Sequence, residues 1–313
     1  MPNVVLLFPG QGSQAPGMGK DLSQRFSAAR EVFEAADVAI DAPLSALCFD
    51  GPADELTRTH NAQPALLTHG AAVWAVVRDA IGEMVVGAAG HSLGEFTAYH
   101  AADALPFPEA VRLVRRRGQL MFEAGQARPG AMAAVLGTPT TSIEEICLEA
   151  TETAGVVVPA NYNSPGQTVI SGEVAGVEHA MELVKLAGAK AKRLNVSGAF
   201  HSPLMESAVA GLVEALDLAH FADARFPIYA NVNAQPIKDA ALARRLLKEQ
   251  LTAPVQWTRT IESLALLHPG ALFVELGPGS VLKGLVKKIV PDATVLSCGT
   301  GADVDALLAV VNA

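Results

Sequence analysis

The sequence predicts an α/β protein, in which a parallel β-sheet is covered on both faces by helices and a smaller subdomain is inserted into the chain. Short β-branched runs bounded by Gly and Pro alternate with amphipathic helical patterns, which is typical of parallel sheets with crossover helices. The strands of the sheet are predicted at 4–8, 85–89, 227–232, 271–276 and 293–297. The helices are predicted at 22–39, 63–80, 94–104, 107–124, 204–217 and 240–251.

The middle of the chain follows a different order of elements. Strands are predicted there at 131–136, 156–162, 167–171 and 190–196, and helices at 142–153 and 175–187. This β-α-β-β-α-β order is that of the ferredoxin-like unit. Because it begins and ends inside the larger pattern, we predict a large domain formed by 1–126 and 199–313 and an inserted ferredoxin-like subdomain at 127–198. A cleft between the two is the expected place for a ligand.

Composition and charge narrow the possible functions. The chain has 313 residues, of which 50% are hydrophobic and 18% charged, and its net charge is -9. This acidic balance argues against broad nucleic-acid binding, which needs a basic surface. The three cysteines lie far apart without a CxxC pair, which argues against a zinc site or a disulfide framework. We therefore expect no metal and no other cofactor.

The chain is predicted to be cytoplasmic. Its N-terminus has no basic segment before a short apolar run, so it does not resemble a signal peptide. No apolar stretch approaches the roughly 20 residues that cross a bilayer, so no membrane association is expected.

Ser92 is the candidate nucleophile. It occupies the centre of the GxSxG sequence at 90–94, directly after a predicted strand and before a predicted helix. In that context GxSxG forms a sharp turn that presents the serine hydroxyl, and the N-terminus of the helix favours developing negative charge. The large domain is therefore predicted to be α/β-hydrolase-like. A simpler role for Ser92 is that of an N-cap, since serine is a favoured cap residue.

A serine nucleophile needs a base, because its hydroxyl is weakly nucleophilic at neutral pH. His201 lies in a loop with Gly198 and Pro203, where the predicted insert rejoins the large domain, and catalytic groups concentrate in such loops. His91 adjoins Ser92, but neighbouring side chains at a sharp turn point apart, so His91 is predicted to be a packing residue. Position alone leaves His201 equally open to a structural role.

Arg117 is unusually placed for a charged residue. In the predicted helix 107–124 it falls within the apolar stripe that contains Leu113 and Leu120. A buried guanidinium is unfavourable unless it is paired and hydrogen-bonded. Arg117 therefore either forms an internal salt bridge with Asp or Glu, which is the simpler alternative, or binds an anionic ligand such as a carboxylate.

A glycine-flanked loop, with Gln11 between Gly10 and Gly12, follows the first predicted strand. It allows close approach of the backbone to a ligand and could supply an oxyanion donor. It has neither the length nor the lysine of a phosphate-binding P-loop. Such a sequence alone is most often only a turn.

Several motifs, in order along essentially the whole chain, resemble those of the malonyl-CoA:acyl carrier protein transacylases. They are the segments 8–14 (FPGQGSQ), 90–95 (GHSLGE), 117–121 (RGQLM), 161–167 (NYNSPGQ), 198–202 (GAFHS) and 275–279 (ELGPG).

This resemblance implies a ping-pong acyltransferase. Ser92 would attack the malonyl thioester, and His201 would take the serine proton and return it to the leaving thiol. The backbone N–H groups of Gln11 and Leu93 would hold the thioester oxyanion. A main-chain carbonyl, with the position of Gln250 implicated, would orient the imidazole, so that no acidic third member is needed.

The resemblance also implies a substrate site. Arg117 would pair with the free carboxylate of malonyl, and acetyl-CoA would leave the guanidinium unsatisfied. Phe200 would restrict the space for the extra methyl group of methylmalonyl. Gln63, Met121 and Asn161 would complete the site.

The implied partners are malonyl-CoA and an acyl carrier protein, which brings its own phosphopantetheine. The implied pathway is fatty-acid biosynthesis, and the implied state is a monomer. Because carrier proteins are acidic, as this chain is, docking would need a local basic patch. The candidates for such a patch are Lys190, Lys192 and Arg193, and separately Lys283, Lys287 and Lys288.

Three alternatives stay open. A discrete acyltransferase of a polyketide or polyunsaturated-lipid pathway would use the same chemistry. A serine hydrolase or thioesterase would release the acyl group to water, but it would typically add an acidic partner for its histidine and would leave Arg117 unexplained. A non-catalytic carrier-binding scaffold would not need the complete set of chemical residues.

Asp103 departs from the family pattern. Relatives usually have glycine at this position, where the helix after the nucleophile ends. Aspartate tolerates the left-handed conformation better than most residues, so Asp103 is predicted to end the helix in place of glycine.

Overall fold

The computed structural model describes residues 2–196 and 198–312. Its strands are β1 (Val4–Phe8), β2 (Val85–Gly90), β3 (Gly130–Leu136), β4 (Val157–Ser164), β5 (Gln167–Glu173), β6 (Lys190–Arg193), β7 (Ile228–Tyr229), β8 (Pro236–Ile237), β9 (Leu272–Leu276) and β10 (Thr294–Cys298). Its helices are α1 (Lys20–Arg25), α2 (Ser27–Ile40), α3 (Leu44–Asp50), α4 (Ala53–Thr57), α5 (Thr59–Ile81), α6 (Gly94–Ala101), α7 (Phe107–Ala127), α8 (Ile143–Thr153), α9 (Val174–Leu186), α10 (Glu206–Leu218), α11 (Ala240–Glu249), α12 (Trp257–Leu267), α13 (Val281–Ile289) and α14 (Gly301–Val311). Within these residues, no helix combines the length and the apolarity that crossing a bilayer requires.

The larger sheet has six strands in the order β10-β9-β1-β2-β7-β8. All neighbouring strands are parallel except β7 and β8. In the buried strand β1, Val4, Leu6 and Phe8 contribute to the core that includes α5, α6 and α7, whereas Val5 and Leu7 contribute to the core with α12 and α13 on the other face. The predicted α/β fold, with helices on both faces of a parallel sheet, is confirmed.

A second sheet has four antiparallel strands in the order β4-β5-β3-β6. Helices α8 and α9 pack against it around a separate core that is rich in Ala, Val and Ile. The chain order β3-α8-β4-β5-α9-β6 confirms the predicted ferredoxin-like subdomain. The domain boundaries at 126/127 and 198/199 stay predictions, and Ser197 lies outside the described residues.

Some predicted elements have the wrong boundaries. The predicted helix 22–39 is two helices, because Phe26 has an extended backbone with φ -122°. The predicted strand 227–232 is reduced to the two residues of β7, and a short strand that was not predicted, β8, pairs with it. Strand β6 ends at Arg193 and not at 196. The backbone N–H of Leu194 still donates to the carbonyl of Met132 in β3, and residues 194–196 then line a cleft.

The end of helix α6 agrees with its prediction. The helix ends at Ala101, and Asp103 has a left-handed backbone with φ 59°. The Asp103 carboxylate accepts a hydrogen bond from Nη2 of Arg78 at 2.9 Å. Asp103 therefore ends the helix as predicted, and its carboxylate forms a salt bridge with Arg78 at the surface.

The two sheets meet along β4. The backbone N–H of Tyr162 donates to the carbonyl of Val255, and the N–H of Val255 donates to the carbonyl of Ala160, both at 2.9 Å. These bonds fix β4 beside the carboxyl ends of β1 and β2. A cleft of about 300 Å³ lies between the two units, lined from the large sheet by residues that follow β1 and β2 and from the small sheet by Asn161 and Asn163.

Candidate active site

The turn between β2 and α6 holds Ser92 in a conformation that few side chains adopt. Its φ is 51°, in the left-handed region. A Cβ atom at Gly90 would lie 1.8 Å from the backbone carbon of Gly94, and a Cβ atom at Gly94 would lie 2.1 Å from the carbonyl oxygen of Phe8. Both glycines of the motif are therefore required by close backbone packing, and together they allow the sharp turn that presents the serine hydroxyl.

His201 lies beside this hydroxyl. Its Nε2 is 2.8 Å from Ser92 Oγ, and its Nδ1 faces two main-chain carbonyl oxygens, of Gln250 at 2.9 Å and of Ala253 at 3.2 Å. Because carbonyl oxygens only accept, Nδ1 carries the proton and Nε2 is free to accept the serine proton. Among the described residues, no carboxylate contacts the imidazole, so carbonyl groups alone orient it.

Burial keeps the imidazole neutral. His201 is 3% exposed, and desolvation, followed by repulsion from Arg117, lowers its pKa to about 3. At neutral pH the ring is therefore unprotonated at Nε2, the atom that faces Ser92 Oγ. The backbone of His201 is also left-handed, with φ 57°.

Arg117 also contacts the hydroxyl of Ser92. The residue is 1% exposed and lies in α7. Its Nη1 donates to Oε1 of Gln63 at 2.8 Å, and its Nη2 donates to Oε1 of Gln250 at 2.9 Å and to Ser92 Oγ at 3.1 Å. The ring of Phe96 lies 5.5 Å from the guanidinium carbon, within cation–π range.

These contacts decide between the two alternatives for Arg117. In the described part of the chain its hydrogen-bond acceptors are two amide oxygens and one hydroxyl, and none is a carboxylate. Burial lowers the pKa of Arg117 to about 10, so the guanidinium stays charged at neutral pH. The guanidinium therefore forms no direct salt bridge in the described structure, and the Glu95 carboxylate acts on its charge without a direct hydrogen bond.

Glu95 and Asn231 hydrogen-bond to the residues that surround Ser92. Glu95 is fully buried in α6, and its Oε2 accepts from Nε2 of Gln250 at 2.7 Å and from the backbone N–H of Asn231 at 3.0 Å. The side chain of Asn231 accepts from the N–H of Ser92 and donates to the carbonyl of Gly90, both at 2.7 Å. The Asn231 side chain thus links the backbone of Gly90 to that of Ser92 and fixes the conformation of the turn.

Neither of these two residues is predicted from the sequence to have a role at the site. A sequence signal for Glu95 exists, because its charge lies beside the apolar residues Phe96 and Ala98 of a short helix. Asn231 follows the short strand β7, and no sequence pattern indicates that it would contact the turn.

The two predicted oxyanion donors face the same cleft. Gln11 and Leu93 both line it, and neither backbone N–H donates to an acceptor within the described residues. Leu93 lies at the N-terminus of α6, where N–H groups have no intrahelical acceptor. The side chain of Gln11 is held by the hydroxyl of Thr59 at 2.8 Å, which positions the loop after β1.

Known proteins are similar to this chain over most of its length. Residues 5–300 match the acyl transferase domain family. A malonyl CoA-acyl carrier protein transacylase of Bacillus subtilis (strain 168) is 47% identical over 290 residues, which is 92% of this chain and 91% of the relative. The chain belongs to the malonyl-CoA:acyl carrier protein transacylase family.

Solved structures of this family superpose closely. The acyl-carrier-protein S-malonyltransferase of Bartonella henselae superposes with a TM-score of 0.94 at 40% identity. The match covers 99% of this chain and 100% of that one. A malonyl-transacylase solved in complex with a type II PKS acyl-carrier protein has a TM-score of 0.93 at 38% identity, and the match covers 98% of this chain and 99% of that one.

The remaining predicted substrate residues of this family member also line the cleft. Gln63, Met121, Asn161 and Phe200 lie there with Ser92, whereas Gln250 hydrogen-bonds to Ser92, His201 and Arg117. Gln63 is held in turn, because its Nε2 donates to Oγ1 of Thr59 at 3.1 Å and contacts Sδ of Met121 at 3.3 Å. All predicted site residues are therefore brought together.

His91 does more than pack. Its ring lies 5.4 Å from that of Trp257, as a packing residue would, but its Nε2 is also 2.8 Å from Oδ1 of Asn163. Because Asn163 lies on β4 of the small sheet, this hydrogen bond joins the nucleophile turn to the ferredoxin-like subdomain. Desolvation lowers the pKa of His91, so the ring is neutral and donates from Nε2.

Charge at the cleft favours an anionic acyl group. Among the described residues that line it, Arg117 is the one with a permanent charge, and none is acidic. No group of three or more His, Cys, Asp or Glu side chains that could hold a metal is found within residues 2–196 and 198–312.

Proposed function

We propose that this chain is an acyl carrier protein S-malonyltransferase, which moves malonyl from malonyl-CoA to the phosphopantetheine thiol of an acyl carrier protein. The observation that carries the proposal is the buried guanidinium of Arg117, held by neutral acceptors and 3.1 Å from the hydroxyl of Ser92. An acyl group with a terminal carboxylate satisfies Arg117 and places its thioester carbon at Ser92. The reaction needs no cofactor of the enzyme.

The first half-reaction loads the serine. Ser92 Oγ attacks the thioester carbon while His201 Nε2 takes the hydroxyl proton, and the backbone N–H groups of Gln11 and Leu93 hold the resulting oxyanion. The tetrahedral intermediate collapses, the C–S bond breaks, and His201 returns the proton to the thiolate of coenzyme A. The products are a malonyl ester of Ser92 and free coenzyme A.

The second half-reaction repeats these steps with the carrier. The phosphopantetheine thiol gives its proton to His201 Nε2 and attacks the malonyl ester. The oxyanion forms in the same place, the C–O bond to Ser92 breaks, and the serine oxygen recovers the proton. One neutral imidazole serves both directions because its Nδ1 stays bonded to the carbonyls of Gln250 and Ala253.

Selection of malonyl follows from the surroundings of Arg117. Acetyl has no carboxylate, so it would displace water from the cleft without satisfying the guanidinium, and a buried polar group left unpaired discriminates strongly. Phe200 lines the same cleft, where it would restrict the space for the methyl branch of methylmalonyl, an effect of about 1–3 kcal/mol.

Carrier docking is assigned to strand β6. Lys190 and Lys192 are exposed there, at an edge of the small sheet, and the strand leads directly into residues 194–196 at the cleft. Arg193 already pairs with Glu178 at 2.7 Å, and Lys288 lies 3.2 Å from the side-chain oxygen of Gln167. The two lysines of β6 are therefore the best placed for an acidic carrier.

Fatty-acid biosynthesis is the proposed setting, with the enzyme acting as a cytoplasmic monomer. A polyketide setting is the second candidate, because the similar malonyl-transacylase noted above binds a type II PKS carrier. Both settings use the same chemistry at Ser92.

The decisive experiment is intact-protein mass spectrometry after incubation with malonyl-CoA, with and without a holo acyl carrier protein. We expect a stable malonyl adduct on the wild-type chain that disappears when the carrier is added and reappears on the carrier. The Ser92→Ala variant is the control and should form no adduct. Release of free malonate without transfer would instead identify a hydrolase, and absence of any adduct would indicate a scaffold.

A further inference from the structure

The Glu95 carboxylate acts on the charge of Arg117, although the two side chains are not directly hydrogen-bonded. They are linked through one amide, since Gln250 donates from Nε2 to Glu95 Oε2 at 2.7 Å and accepts at Oε1 from Arg117 Nη2 at 2.9 Å. Electrostatic attraction between Arg117 and Glu95 acts on the pKa values of both. Glu95 thus compensates the buried guanidinium while the cleft is empty.

The same carboxylate decides which way Gln250 points. Nε2 of Gln250 donates both to Glu95 Oε2 and to the carbonyl of Ser92 at 3.0 Å, so the amide oxygen must face Arg117. With the amide reversed, an NH₂ group would face the guanidinium and leave it without this acceptor.

Arrival of a malonyl carboxylate changes the charge balance. Two carboxylates would then share one guanidinium in a buried site, and like charges in such a site raise the pKa of one of them strongly. The substrate carboxylate bonds Arg117 directly, whereas Glu95 reaches it only through Gln250. Oε1 of Glu95 has no hydrogen-bond partner among the described residues, and it can take a proton while Oε2 keeps its two donors.

We infer that Glu95 is the resident counter-ion and positioning residue of Arg117, and that it takes up one proton from solvent when a malonyl carboxylate replaces it as the counter-ion. This inference rests on the proposed function. The proton binds at Oε1 of Glu95 and returns to solvent when malonyl leaves on the carrier, so the exchange is separate from the proton that His201 moves.

The surroundings of Glu95 contain few other groups that could take this proton. Arg117 faces it from α7, and Tyr99, one turn further along α6, has a buried hydroxyl without a partner in the described structure. Strands β1 and β2 beneath α6 have no titratable side chain. From the other packed elements, His69 of α5 interacts with Asp21, and Tyr229 of β7 packs on the opposite face of the sheet.

The pKa of Glu95 supports the exchange. The net pKa of Glu95 is raised to about 7. Burial raises it, and hydrogen bonds from Gln250 and Asn231 together with the charge of Arg117 lower it, which offsets part of that rise. A second anion on Arg117 cancels part of that lowering and raises the pKa further. Slightly above neutral pH, Glu95 is therefore mostly ionised in the free protein and protonated in the malonyl complex. His201, with a pKa of about 3, stays neutral throughout.

Calorimetry of the Ser92→Ala chain tests the exchange without turnover. Malonyl-CoA is titrated at about pH 7.5 in two buffers of different ionisation enthalpy, and we expect uptake of about half a proton or more per site. Coenzyme A alone is the matched ligand, and it should cause no comparable uptake. The dissociation constant for malonyl-CoA should also rise with pH above neutral, by at most about tenfold per pH unit.

Glu95→Gln in the same background removes the charge but keeps an oxygen for both donors, so proton uptake and the pH dependence should disappear. Glu275→Gln is the control, because Glu275 is equally buried but accepts from the N–H groups of Leu282 and Lys283, away from the cleft. It should leave the uptake unchanged.

No uptake in Ser92→Ala, or uptake that persists in Glu95→Gln, would overturn the inference. Should Glu95→Gln fail to fold, the calorimetry and the pH dependence of Ser92→Ala decide alone. A wild-type chain that forms no malonyl adduct would instead contradict the proposed function, so the two failures are distinguishable.

Discussion

The two groups that contact the hydroxyl of Ser92, the imidazole of His201 and the guanidinium of Arg117, are held by different kinds of partner. On one side, main-chain carbonyls of Gln250 and Ala253 hold the imidazole of His201. On the other, side-chain amides of Gln63 and Gln250 hold the guanidinium of Arg117. The first set is fixed by the fold of the loop after α11, whereas the second set can exchange partners with a ligand.

This difference corresponds to two physical tasks. A neutral imidazole needs only a fixed orientation and tautomer, which carbonyl groups supply without adding a charge near the serine. Under the proposed function, the buried cation must be stabilised until a carboxylate binds, and its direct partners are neutral groups that compete weakly with an incoming anion. Gln250 serves both sides, through its backbone oxygen and its side chain.

Loss of the base should have the largest effect. His201→Ala removes the acceptor for the serine proton, and we expect the rate of malonyl loading to fall by about 10³-fold. Quenched-flow mass spectrometry of the adduct measures this rate. The loss should be equal for malonyl-CoA and acetyl-CoA, since His201 does not contact the acyl carboxylate. A loss confined to malonyl would place His201 in recognition and contradict the division of tasks.

Loss of the Arg117 guanidinium should have the next largest effect on activity, and the size of that effect should depend on the substrate. Arg117→Ala removes the buried cation, and kcat/KM for malonyl-CoA should fall by about 10²-fold. Acetyl-CoA needs no cation, so its relative use should rise. Competition between the two thioesters, with adducts counted by mass, gives the ratio directly. An unchanged preference for malonyl would refute the role of Arg117.

Sequence predicts the parts of this site that depend on local structure. Ser92 is predicted because Gly90 and Gly94 define the turn within a single segment, and Arg117 because its charge conflicts with the periodicity of its own helix. The predicted sheet strands at 4–8 and 85–89 agree with β1 and β2 because buried parallel strands are continuous apolar runs.

Residues joined across long stretches of chain are not predictable in this way. The bonds from Asn231 and Gln250 to Glu95 span 136 and 155 residues. The loop position of His201, where the predicted insert rejoins the large domain, separates it only weakly from the other histidines, and the family resemblance is what gives it and Gln250 a role. These contacts depend on tertiary packing, which periodicity does not encode.

Truncation of Gln250 separates the two sides within one residue. Gln250→Ala keeps the backbone oxygen that orients His201 but removes the acceptor of Arg117 and the donor to Glu95. Leaving these groups unsatisfied should lower kcat/KM for malonyl-CoA by about tenfold, with a smaller change for acetyl-CoA. Gln63→Ala is the matched variant, because it removes one acceptor of Arg117 and has no link to His201. Equal losses for both thioesters in Gln250→Ala would show that the imidazole has moved.

The smallest effect is expected outside the cleft, where neither side of Ser92 is touched. Charge reversal of Lys190 and Lys192 to Glu should slow transfer to the carrier by about fivefold at low salt, because exposed charges contribute little individually and are screened. Loading from malonyl-CoA should not change, since both side chains are exposed on β6. Reversal of Lys283 and Lys287 is the control for overall charge. If charge reversal of Lys283 and Lys287 slows transfer and that of Lys190 and Lys192 does not, the carrier docks on α13. Residues 194–196 would then contribute to substrate binding and not to carrier docking.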